Sequence, residues 1–378
     1  MRIVIIGNGI AATSAAVSIR EYDMENGITM LSDEHAPFYS RPRLTEYLAG
    51  KVAFEKIVIR DETWYAKNNI ELMQGVRVES VDPGHRAVTG SFGLLNYDRL
   101  LIASGASAAL PSFYNSHLEH VFTLRTKEDA DRIAAVAARS RTAVIIGGGL
   151  LGIETAYALA ERGLEPTVIE VFDRLLPRQL DAESANMLQD MLAQKGLHFL
   201  LAQQTASLSN EYGMVKISFK DDSALSADMA VISAGIRPNI SFLKNSQVEV
   251  GHGIIVDTRL RTNIPDIYAA GDCAEFKGKI YGIWPAAKEE GEIAGKVIAG
   301  QEASYHGSLM SAKLKVASID MASVGDITIG SQTRAESRRD GSSFRKLFYE
   351  NEKLKGAILI GDTTDYFKLQ REIAQSAG

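Results

Sequence analysis

The sequence predicts an α/β protein built on two copies of one strand–turn–helix unit, followed by a smaller α+β tail. Three observations carry this prediction. The chain opens on RIVIIGNGIAA (residues 2–12), an apolar strand running through a glycine turn into the helix ATSAAVSIREY. The same arrangement returns in AVIIGGGLLGIE (residues 143–154), followed by the helical TAYALAERG. Beyond residue 305, the short strand patterns KLKVASID, RKLFYEN and LKGAILIG alternate with turns such as Arg339-Asp340-Gly341, before a closing helix.

The two turns share a spacing with a physical meaning. The first reads G-x-G-x-x-A at Gly7, Gly9 and Ala12; the second reads G-x-G-x-x-G at Gly147, Gly149 and Gly152. The first glycine permits the tight turn and the second lets backbone approach a pyrophosphate. The third small residue lets the helix pack on the strand. Free N–H groups at the helix start then stabilise an anionic phosphate. Each copy also reaches an acid after its next strand: Asp33 and Glu34 after ITML, and Glu170 after PTVIE. A carboxylate there can accept the hydroxyl protons of an adenosine ribose. At Glu170 it also repels a 2′-phosphate, so NADH is expected over NADPH.

Composition narrows the class. The 378 residues suffice for two or three domains, and 46% hydrophobic with 23% charged residues is the mix of a soluble globular protein. A net charge of −6 argues against a nucleic-acid surface, and no apolar run reaches membrane length. A single cysteine, Cys273, and a first strand that begins at residue 2 fit a cytoplasmic protein without a cleaved signal. His117 and His120 are spaced for a metal but lack further ligands, so no metal is expected.

Two such units, with LLIASGAS at 100–107 and IYAAGDCAE at 267–275, resemble the FAD-dependent pyridine nucleotide-disulfide oxidoreductase family over essentially the whole chain. The resemblance implies two Rossmann-like domains of glutathione-reductase type, the first holding the ADP half of FAD and the second NAD(P)H. It assigns 1–106 and 238–304 to an FAD-binding domain, 107–237 to an NAD-binding domain, and 305–378 to a shortened interface-like domain. Ala103, Ser104 and Gly105 match the family's ATG element, and Val78 lies where adenine is cradled. ISAGIRPN, containing Gly235, matches the return crossing. Gly271 and Asp272 match the GD motif that holds the ribityl chain. Pro285 fits the first turn of the helix from Trp284, whose start the family aims at the flavin; Trp284 is a candidate to border it.

What is missing is equally informative. The stretch Ser32–Glu46, where relatives carry redox cysteines, has none. Electrons must then leave the flavin without a sulfur relay, and Cys273 reads as a small apolar filler. RPRLTEYL instead resembles the RPxL element of the branch without a redox cysteine, through Arg41 and Pro42. NADH:rubredoxin reductases belong to that branch, and the tail resembles the flavin module of NAD(P)H nitrite reductase large subunits. One position departs: Glu46 stands where many relatives have a lysine paired with the glutamate matching Glu154. Arg43 is the candidate substitute. The resemblance implies hydride transfer from NADH to FAD and then electron transfer to a small carrier such as rubredoxin. The alternatives are an NADH oxidase or diaphorase using oxygen, the flavin component of a nitrite reductase system, or an NADH-sensing interaction protein similar to apoptosis-inducing factor.

Overall fold

The computed structural model describes residues 1–115 and 117–376, and the chain separates into two compact units. One comprises Met1–Arg41, Phe54–Ser107 and Ile236–Ser308; the other comprises Pro42–Ala53, Ala108–Gly235 and the chain from Leu309 onward.

The first unit is built on a five-stranded parallel sheet. Its order is Ile267–Ala269, Arg99–Ile102, Arg2–Ile6, Gly27–Leu31, Ile70–Met73. The central strand is apolar without alternation because both its faces are covered: Ile3, Val4 and Ile5 are fully buried, as are Leu100, Leu101 and Ile102 beside it. Each such side chain stabilises the fold by roughly 1.5–3 kcal/mol. The helix Ile10–Arg20 packs on the helix Trp284–Ile298 through small residues. A Cβ at Gly291 would stand 2.2 Å from the Ala11 carbonyl oxygen, and one at Gly295 would stand 2.4 Å from that of Ala15.

The second unit repeats this path. Its parallel sheet runs Val121–Thr123, Met229–Ile232, Thr142–Ile146, Glu165–Ile169, His198–Leu200. In both copies an antiparallel three-stranded meander, residues 78–96 or 205–227, interrupts the chain between the third strand and the fourth. The copies differ in where the outer strand comes from. In the first it arrives late in the chain, at Ile267, and in the second it precedes the repeat, at Val121.

The tail forms an antiparallel sheet ordered Ser311–Val316, Ile319–Gly325, Lys353–Ile360, Ser343–Glu350, Thr333–Asp340. The helix Tyr366–Ser376 covers one face through Tyr366, Leu369 and Ile373. KLKVASID, expected as one strand pattern, is instead split by a two-residue turn at Ala317 and Ser318, with φ of 55° and 63°. Ala-Ser carries none of the glycine or asparagine signal that marks such turns, so pairing across the hairpin must hold it. Among the described residues, no helix is long and apolar enough to cross a membrane.

Candidate functional site

The two glycine turns are close geometric copies. Gly7 has φ 116° and Gly147 φ 123°, a conformation that L side chains rarely adopt. A Cβ would stand 2.1 Å from the Ala103 carbonyl oxygen in the first turn and 2.2 Å from that of Ser233 in the second. Gly7 N–H donates to Leu31 O at 2.7 Å, and Gly147 N–H to Ile169 O at 2.8 Å. Gly9 and Gly149 cap the following helices without a side-chain partner. At both positions a Cβ would meet no protein atom within 4 Å. Packing within the protein therefore gives no reason for glycine there, whereas close approach by an external anion does, and this fits a dinucleotide pyrophosphate at each turn. At the third position the copies part. Ala12 is fully buried, while a Cβ on Gly152 would stand 2.0 Å from the Gly147 carbonyl oxygen.

The acids differ more. The strand register aligns Leu31 with Ile169, so the residue in register with Glu170 is Ser32, not Asp33 or Glu34. Glu170 is 7% exposed, accepts from Gly148 N–H at 2.7 Å and from Phe172 N–H at 3.0 Å, and so lies against the glycine turn. In the first copy Asn8 replaces Gly148, and its side chain accepts from the Tyr65 hydroxyl at 2.7 Å. Glu34, two residues beyond Ser32, accepts from the Tyr39 hydroxyl at 2.5 Å and pairs with Arg41. Asp33 is exposed.

ASG and SAG, read separately from the sequence, prove to be the same element. Ala103 N–H donates to Ile6 O and Ser233 N–H to Ile146 O, both at 2.8 Å. Gly105 and Gly235 follow at equivalent places with φ of 65° and 98°. Ser104 Oγ donates to Asn239 O at 2.7 Å, tying the first element to the chain's return.

Gly271 also has positive φ, and its Cβ would meet that of Ala11 at 2.9 Å, which places the Gly271–Asp272 turn beside the first glycine helix. Its N–H donates to Glu290 Oε2 at 2.7 Å. Glu290 is 3% exposed, and burial pushes its carboxyl up to about 7 against the pull of the Gly271 N–H. Pattern reading missed this residue because one acid in KEEGE is indistinguishable from its neighbours. Trp284 begins the same helix and stacks on Phe38 at 5.9 Å. Val78 is buried at the start of the meander. Cys273 is fully buried; burial pushes its thiol up to about 11, and Sγ lies 3.4 Å from the carbonyl oxygens of Ile102 and Ala270. Such a thiol neither attacks nor relays electrons at neutral pH.

In the second unit, Pro42 is exposed and Arg43 pairs with Glu46 at 2.8 Å. Burial, reinforced by Glu46, pushes the Glu154 carboxyl up to about 7. Glu46 thus presents a second carboxylate to Glu154, where the sequence already ruled out an ion pair.

Residues 1–291 match the family model described as pyridine nucleotide-disulphide oxidoreductase, and residues 311–377 match that of the rubredoxin NAD+ reductase C-terminal domain. The chain is 35% identical over 373 residues to an assimilatory nitrate reductase electron transfer subunit of Bacillus subtilis, covering 97% of this chain and 48% of the relative. It is 32% identical to an NADH-rubredoxin oxidoreductase of Clostridium acetobutylicum, covering 99% of this chain and 95% of the relative. The crystal structure of NADH:rubredoxin oxidoreductase from Clostridium acetobutylicum superimposes with a TM-score of 0.83 at 31% identity, over 99% of this chain and 95% of that one. The chain spans less than half the length of the nitrate and nitrite reductase chains it matches: 48%, 47% and 39%.

Proposed function

Because this chain belongs to the pyridine nucleotide-disulphide oxidoreductase family, we propose that it is an FAD-dependent NADH:acceptor oxidoreductase that reduces a small carrier protein such as rubredoxin. The observation that carries the reading is the pair of matched glycine turns, each open where a pyrophosphate would approach. The name of the full-length Clostridium relative supports the carrier.

In this reading, residues 1–106 and 238–304 hold FAD. Gly7, Gly9 and Ala12 take its pyrophosphate, with Glu34 or Asp33 toward the ribose, Val78 toward the adenine, and Ala103–Gly105 beside the first glycine turn. Gly271 and Asp272 take the ribityl chain, and Arg41, Pro42 and Trp284 border the flavin. The start of the helix Trp284–Ile298 supplies partial positive charge to an anionic flavin edge. Residues 107–237 hold NADH through Gly147, Gly149, Gly152 and Gly235, with Glu170 on the adenosine ribose. Glu154 and Arg43 act near the nicotinamide end, and residues 305–378 form the C-terminal interface-like domain. FAD, when bound, would supply hydride acceptance from NADH and single-electron release, and the residues named here would hold and orient it. With Cys273 sealed in the core, no sulfur intervenes.

The test is anaerobic reduction of the FAD-loaded protein by NADH, followed by mixing with rubredoxin or with air. Reoxidation by rubredoxin well ahead of air supports the proposal. Equal rates indicate an oxidase using oxygen, and a protein that binds no FAD overturns the reading.

A further inference from the structure

The tail sheet ends on a strand whose outer edge is open. Among the described residues, no strand pairs with Thr333–Asp340 on the side away from Ser343–Glu350, and seven of its eight residues are exposed. Such an edge offers a row of N–H and C=O groups to any strand that can lie beside it. Charge of a single sign would defend it, because a second copy would then be repelled. This edge is charged differently. On the face it shares with Leu347 and Tyr349, Arg334, Glu336, Arg338 and Asp340 alternate in sign along the strand.

Neighbours within the chain compensate this row unevenly. Arg334 pairs with Glu336 and with Glu352, and its guanidinium lies over the Tyr349 ring. Arg338 instead stands directly opposite Arg345, which pairs with Asp365 at 2.7 Å. Like charges directly opposite each other are destabilising, and a carboxylate on the open side of Arg338 would offset that.

Strand geometry then selects a register. In a symmetric antiparallel pair, facing residues must both turn their N–H and C=O toward the partner strand or both turn them away. The two-fold axis therefore passes through a residue, never between two. With the axis at Ser337, Arg334 of each copy faces Asp340 of the other, and Glu336 of each faces Arg338 of the other, so every pair on this face is opposite in charge. Moving the axis to Glu336 sets Arg334 against Arg338 and Glu336 against itself. Moving it to Arg338 sets Glu336 against Asp340 and Arg338 against itself. Axes at Ala335 or Arg339 shorten the ladder. The period of the charges thus favours one register and penalises its nearest slips.

We infer that Thr333–Asp340 is a self-association edge, which takes a second copy of this chain antiparallel about Ser337 and joins the two five-stranded tail sheets into one. The backbone groups of the two edges supply the ladder, and the alternating charges fix its register. On the opposite face Ser337 meets its own copy and Ala335 meets Arg339, so small side chains leave room for the one long one.

The test sediments the full chain over a concentration series, with circular dichroism checking that each variant is folded. Wild type is expected to dimerise, more weakly at high salt. Glu336→Arg and Arg338→Glu each convert two opposite-charge pairs into like-charge pairs, and each should raise the dimer Kd about tenfold or more. Mixing the two variants sets arginine against glutamate again, so the mixture should associate more tightly than either component. Both positions are exposed, and glutamate at 338 would face Arg345, so the fold is spared. Ser337→Cys reads the register, because Cys273 is fully buried and the new thiol is the accessible one. Mild oxidation should link two copies through it. A wild type that stays monomeric at high micromolar concentration overturns the inference, whatever other partner the edge takes. A dimer unchanged by both single variants overturns it too, as does a mixture no tighter than its components. A dimer that Ser337→Cys cannot cross-link overturns the register.

Discussion

The two glycine-turn sheets follow one path, with one hydrogen-bond pattern at the turn, yet they manage their acids in opposite ways. In the second, Gly148 leaves room for the Glu170 side chain, which lies against the turn and takes its N–H at 2.7 Å. A Cβ on Gly148 would stand 3.1 Å from that carboxylate and 2.9 Å from Leu175. In the first, Asn8 has such a Cβ, the register position holds Ser32, and the carboxylate moves to Glu34 under the hold of Arg41 and Tyr39. The residue between the glycines and the residue after the second strand thus vary together, because both fill one small volume.

The comparison breaks most readily at the shared element. Gly7→Ala and Gly147→Ala each force a Cβ into a carbonyl oxygen at positive φ, and each is expected to cost about 3 kcal/mol or more. Urea unfolding and FAD content read this. Similar losses support the equivalence of the turns, and a mild effect in either would end it. The third position separates the copies. Gly152→Ala is expected to cost about 2 kcal/mol through its contact with the Gly147 carbonyl, whereas Ala12→Gly costs only about 0.5–1 kcal/mol of helix stability.

A third prediction concerns charge. Five residues after the second turn glycine stands Glu154 in one copy and Ser14 in the other. Glu154 is raised from its ordinary 4.5 to about 7, so its protonated form favours the fold. That stabilisation is complete below about 4.5 and lost as the pH rises through about 7. Glu154→Gln should therefore stabilise the protein by about 2 kcal/mol at pH 8 and leave it unchanged at pH 4. Thermal unfolding at the two pH values checks the sign, and equal effects at both would refute it. The smallest expected effect is on selectivity. Glu170→Gln should raise the KM for NADH about tenfold with little change in kcat, narrow the preference over NADPH, and leave FAD content untouched. Steady-state kinetics with both nucleotides measure it.

Much of the fold was legible because its requirements are local. An apolar run, a glycine with positive φ and a small third residue are neighbours in the chain, and they predict a strand, a turn and a helix wherever they occur. The same holds for the missing thiol: one buried cysteine excludes a disulfide relay on count alone. The hairpin at Ala317 and Ser318 was illegible because its turn residues carry no signal, and pairing across the sheet decides it. The carboxylates belong to the same class. Whether Glu170, Glu34, Glu154 or Glu290 is buried, and which partner it meets, depends on residues as far as 108 positions away. Sequence by itself determined where backbone can approach a phosphate, since that is a property of consecutive φ angles and absent side chains. Only the tertiary structure decided which acids lie in water and which are desolvated, since desolvation is set by whatever the rest of the chain packs around them.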